Sequence, residues 1–152
     1  MAAFRFIFSL ILIILTPSYA FATNCNLPNS IVRISNSASG GFEYVKFKFK
    51  KPPSAPAFTV SNVLPPFTED PSGNSVTVPG AHWTQIRFDN VEWMCTIPKF
   101  IKIKPAVKAV KNIGQFEGQI TYVIGRSAAS HYISTQTINA GAFTIIRVKF
   151  RP

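Results

Sequence analysis

The chain has 152 residues, 16 lysines and arginines against 6 aspartates and glutamates, and a hydrophobic share of 47%. That length suits one domain with a single core, and the hydrophobic share excludes wholesale disorder. With 8 glycines and 12 prolines it is neither collagen-like nor a flexible linker, and six carboxylates leave little for a multi-carboxylate metal site or a two-acid catalytic pair.

The N-terminus carries one early positive charge, Arg5, and then an apolar run over residues 6–15. Thr16-Pro17-Ser18 breaks the run, and Ala20-Phe21-Ala22 has the A-x-A form of a cleavage site. This order of charged, apolar and small residues is that of a secretory signal peptide over residues 1–22. A membrane anchor is the weaker reading, because the run falls short of the roughly 18–20 residues that span a bilayer. No later segment is apolar for long enough to span one. Removal of the leader leaves 15 basic against 6 acidic residues, a net charge of +9. The expected location is secreted or periplasmic, at the cell envelope.

Cys25 and Cys95 are the two cysteines, both in the mature part. In an exported chain they read as one disulfide. Closing that loop of about 70 residues is worth on the order of 4 kcal/mol in the chain-entropy model. Asn24 stands where a lipoprotein cysteine needs a small residue before it, and no Cys-x-x-Cys suggests zinc or redox chemistry.

Beyond residue 30 the hydrophobic period is two almost throughout. In Glu43-Tyr44-Val45-Lys46-Phe47-Lys48-Phe49-Lys50, Val45, Phe47 and Phe49 share one face, and Lys46, Lys48 and Lys50 share the other. That is a half-buried strand with a basic outer face. Prolines end it at residues 52–56, and a second strand follows over 57–63. Asp70-Pro71-Ser72-Gly73-Asn74 and Pro79-Gly80 are turn signals. Alternation returns over residues 83–88 and 100–104, where it carries Lys102 and Lys104. Residues 106–112 read as a short helix. Strands are expected again over 118–125, 131–138 and 143–150, the last flanked by Arg147, Lys149 and Arg151. The sum is an all-β chain, an antiparallel β-sandwich of about eight or nine short strands.

Three basic strand faces are the binding candidates: Lys46, Lys48 and Lys50; Lys102 and Lys104; Arg147 and Lys149, with Arg151 beyond. Merged, they would form a cationic stripe suited to a polyanion. Separately, they are solvated faces that keep strand edges from pairing. A nucleic-acid role is not expected, given the export signal and the absence of a recognisable nucleic-acid-binding motif. Trp83, Trp93, Tyr122 and Tyr132 suit either sugar stacking or a core. His82 and His131 stand in no metal-ligand spacing, and no G-x-S-x-G elbow occurs. No nucleophile, base and orienter set presents itself, so neither catalysis nor a cofactor is expected.

Val45-x-Phe47-x-Phe49, Pro71-Ser72-Gly73, Phe116-Glu117-Gly118 and Val123-Ile124-Gly125 resemble, in this order, the motifs of the AMIN-like domain of exported bacterial proteins. The likeness runs from about residue 41 to residue 150. It is that of a divergent member, because Gln115 stands where the family has Asp and the closing strand lacks the family's Pro, Arg and final Asp. The resemblance implies a domain over 41–152, preceded by an N-terminal segment over 23–40 that holds Cys25. It also implies a non-catalytic module that binds the cell envelope, through peptidoglycan or an anionic wall polymer. The second reading is a secreted protein-binding or inhibitory factor. Within Phe116-Glu117-Gly118, turn chemistry accounts for Glu117 and Gly118 without a ligand.

Overall fold

Alternation of apolar and polar residues governs the structure, a computed structural model that describes residues 27–50, 55–92, 97 and 99–152. The expected leader, Cys25, Trp93 and Cys95 lie outside the described residues. Eleven strands are described: β1 (Ile31–Ser39), β2 (Phe42–Lys50), β3 (Ala57–Val63), β4 (Phe67–Thr68), β5 (Ser75–Val76), β6 (His82–Asp89), β7 (Lys99–Phe100), β8 (Val107–Phe116), β9 (Gln119–Arg126), β10 (His131–Ala140) and β11 (Phe143–Arg151). Among the described residues no helix is long and apolar enough to cross a membrane.

Two sheets face each other. One has the order β10-β11-β2-β1-β7 and the other β3-β6-β9-β8, and every pairing is antiparallel except that of β1 with β7. The chain is therefore the all-β sandwich that its pattern implies. Between the sheets Phe47 and Phe49 of β2 each meet Phe88 of β6 edge-on, with ring centroids 5.0 Å apart. Ile34, Ile86, Ile124 and Ile146 close around them, all fully buried. A buried carboxylate also ties the two sheets. Glu43 of β2 accepts the main-chain N–H groups of Ala106 and Val107, each at 2.9 Å, where β8 begins.

The outer face of the four-stranded sheet is covered. The β4–β5 ribbon lays Phe67 against Trp83, and a second small core forms with Val78, Ala109 and Val123. The Trp83 indole N–H donates to the Val78 carbonyl at 2.9 Å. The outer face of the five-stranded sheet has no such cover among the described residues. That asymmetry leaves one broad face of the sandwich open.

Three expectations need correction. Residues 106–112 are not helical; they lie mainly in β8, where register shifts at Val107/Ala109 and Asn112/Gly114 interrupt the period of two that marks a strand. Residues 101–104 do not extend β7 either. The Asn36 side chain holds them instead, donating to the Lys102 carbonyl at 2.6 Å and accepting its N–H at 3.0 Å. The sandwich also begins before residue 41, since β1 buries Ile31 and Ile34 in the main core and runs beside β2. Glu117 and Gly118 are the two central residues of the β8–β9 hairpin, with φ of 49° and 78°. This double left-handed turn matches the strand twist and explains the glycine without a ligand.

Candidate functional site

Strand β2 alternates strictly, burying Glu43, Val45, Phe47 and Phe49 and turning Phe42, Tyr44, Lys46, Lys48 and Lys50 outward. β11 does the same, burying Thr144, Ile146, Val148 and Phe150 and turning Phe143, Ile145, Arg147, Lys149 and Arg151 outward. The two strands are direct neighbours. Their register sets Arg147 opposite Lys46, Lys149 opposite Tyr44 and Phe143 opposite Lys50. On the other side of β2, exposed Arg33 of β1 stands opposite Lys48. The expected stripe therefore forms from Lys46, Lys48, Lys50, Arg147 and Lys149, joined by Arg33 and Arg151.

All six carboxylates lie elsewhere. Glu43 is buried in the core; Glu69 and Asp70 flank the β4–β5 turn; Asp89 pairs with Arg87 at 3.2 Å on β6. Glu92 and Glu117 sit in connections. None of the seven cations forms an ion pair among the described residues. Along a strand the charges fall about 7 Å apart and across strands about 5 Å, a spacing set by β geometry.

Aromatic rings brace five of the seven cations. The Lys48 ammonium lies 3.6 Å from the Phe143 ring centroid and that of Lys149 lies 3.6 Å from Phe42. The Arg147 guanidinium stacks 4.8 Å from Tyr44, and Arg33 sits 4.4 Å from Phe100. Arg147 also donates to the Gln136 side-chain oxygen at 2.6 Å. Each exposed cation–π pair is worth about 0.5–1 kcal/mol, enough to pre-organise a side chain while leaving its charge open to an incoming anion.

Lys102 and Lys104 lie on no strand of the ladder; they sit in the irregular segment anchored by Asn36 of β1. The Lys104 carbonyl accepts a hydrogen bond from the Lys108 ammonium at 3.0 Å. Tyr122 is core, 1% exposed, and burial raises its phenol well above the ordinary range. Tyr132 packs edge-on against Phe150. His131 stands opposite Arg151 at the end of β10, and His82 lines a cleft at the far end of the other sheet.

Sequence reading missed Arg33, the aromatic members Phe42, Tyr44 and Phe143, and the Gln136 brace. Basic and aromatic residues interleave across β2 and β11, which lie about 100 residues apart in the chain, and a linear scan does not see that. Comparison with known proteins found no matching family model, no matching curated protein and no matching solved structure.

Proposed function

We propose that the protein is an exported, non-catalytic module that binds an anionic polymer of the cell envelope on the outer face of β1, β2 and β11. One observation carries this reading: seven cations share a face that contains no carboxylate, five of them beside aromatic rings, and no other segment among the described residues covers it. Folding alone gains nothing from setting Lys46 opposite Arg147 and Arg33 opposite Lys48, since like charges opposite each other in a ladder are destabilising. A polyanion lying along β2 and β11 neutralises several cations at once, releasing counterions from the polymer. The export signal and the AMIN-like resemblance point to the same ligand class, peptidoglycan or a wall polymer bound to it, by analogy.

The test is retention of residues 23–152 on purified sacculi, stripped of anionic polymer or not, at about 50 and 500 mM salt. Retention that requires the polymer and falls at least tenfold at the higher salt supports the reading. Salt-insensitive retention indicates a hydrophobic protein contact instead, the second reading of the sequence. Stronger binding to a single-stranded oligonucleotide than to wall polymer would contradict the envelope assignment.

A further inference from the structure

We infer that the cleft lined by Asn62, Val63, Leu64, His82, Trp83 and Arg126 is a separate site for a small molecule bearing one carboxylate on an apolar body. The cleft measures about 520 Å³, within the range of small-ligand sites. It lies at the end of the β3-β6-β9 sheet, where His82 opens β6 directly opposite Arg126, the last residue of β9. Arg126 faces the inner side of the other sheet, at Phe150, whereas the basic face is the outer side of that sheet.

Arg126 is the reason to assign it a ligand. The residue is 6% exposed, and none of the chain's carboxylates pairs with it. One terminal nitrogen donates to the Ser130 carbonyl at 2.6 Å and the other to the Asn62 side-chain oxygen at 3.3 Å. Its Nε has no partner among the described residues. Its guanidinium also lies 5.9 Å from the Phe150 ring centroid, but a buried cation with no opposite charge beside it is costly, because its desolvation is not fully repaid. Burial lowers its pKa, but a guanidinium does not discharge in a protein. A carboxylate is the planar partner its fork geometry fits.

The walls specify the rest of the ligand. Leu64 is 79% exposed at the mouth and offers apolar surface there. The Trp83 ring is fixed by its hydrogen bond to Val78 and its edge contact with Phe67. It offers a rigid flank, and His82 offers a second polar group beside Arg126. A head that pairs with Arg126 and a body that covers Val63, Leu64 and Trp83 would fit this lining.

The experiment titrates ¹⁵N-labelled protein with 4-phenylbutyrate and, separately, with its neutral amide, reading the Trp83 indole N–H and the amides of 62–64, 82–83 and 126. The expected result is saturable shifts at these positions with the carboxylate and at least tenfold weaker binding of the amide. Arg126→Lys should weaken the carboxylate at least tenfold. Should that variant fail to fold, Leu64→Asp at the exposed mouth places a like charge there and should abolish binding. Equal affinity for acid and amide, no shifts up to 10 mM acid, or shifts confined to β2 and β11 would overturn the proposal.

Discussion

Lys46 and Arg147 stand directly opposite each other in the β2–β11 ladder, on a face that carries no carboxylate. Arg33 and Lys48 repeat the arrangement one strand over. A directly opposed like-charge pair costs a few tenths of a kcal/mol up to about 1 kcal/mol. The Tyr44 ring and Gln136 brace Arg147 but neutralise nothing. The cost is therefore present in the free protein, and an anion bound across the pair would relieve it.

Lys46→Glu should separate stability from function. It replaces a repulsive pair with an attractive one and should raise the melting temperature by about 1–4 °C. The same change should weaken polyanion binding. Thermal unfolding followed by circular dichroism, beside a binding isotherm, checks both halves. A variant that loses stability and keeps affinity would show that Lys46 serves the fold instead.

Much of this face was readable in the chain. Val45-Lys46-Phe47-Lys48-Phe49 declares its two faces because one strand with one buried side leaves a period-two signature. What the chain could not show was adjacency. β2 and β11 are joined by a pairing over about 100 residues, and no local pattern encodes it. Where local signals failed, the cause is visible: β8 carries two register shifts that scramble its alternation, and Lys102 is held by an asparagine side chain that replaces a ladder. Arg126 left no mark as a site candidate, since its interest lies in partners that only the fold brings near.

Glu43→Gln tests the tie between the sheets. Both carboxylate oxygens accept main-chain N–H groups, so an amide would turn a donor toward a donor in a site 2% exposed. The expected loss is about 2–3 kcal/mol, as for a buried group left unsatisfied. A urea titration reads it as a lower midpoint with an unchanged slope. An unchanged midpoint would mean that the tie adds nothing to stability.

Gly125 and Gly114 make a matched pair in the β8–β9 hairpin. A Cβ at Gly125 would collide with the Pro79 carbonyl, which crosses over the strand. At Gly114 the nearest atom would be 3.5 Å away. Gly125→Ala should cost about 2–3 kcal/mol through overpacking, whereas Gly114→Ala should fall within about 1 kcal/mol of the parent. Denaturant midpoints of the two variants give the comparison, and equal midpoints would contradict the close approach.

A Cys25–Cys95 disulfide, expected from the sequence alone, would join two chain segments whose described neighbours are hydrogen-bonded. Glu92 donates its main-chain N–H to the Asn29 carbonyl at 3.3 Å, and the Asn29 side chain donates to the Asn90 carbonyl at 3.1 Å. The two cysteines lie four residues before Asn29 and three after Glu92. If the disulfide forms, non-reducing peptide mapping of protein produced in an oxidising compartment should recover the Cys25–Cys95 cross-link, and reduction should lower the melting temperature. Alkylation of both thiols without reductant would contradict the pairing.

The most direct test of the binding face compares two charge reversals of equal size. Lys46→Glu with Lys48→Glu, and Lys102→Glu with Lys104→Glu, each change the net charge by the same amount. If β2 and β11 form the site, the first pair should lower affinity for sacculi carrying anionic polymer at least tenfold. The second should stay within about twofold of the parent at the same salt. Equal losses from both pairs would show that net charge alone drives retention, and that the face is not a site.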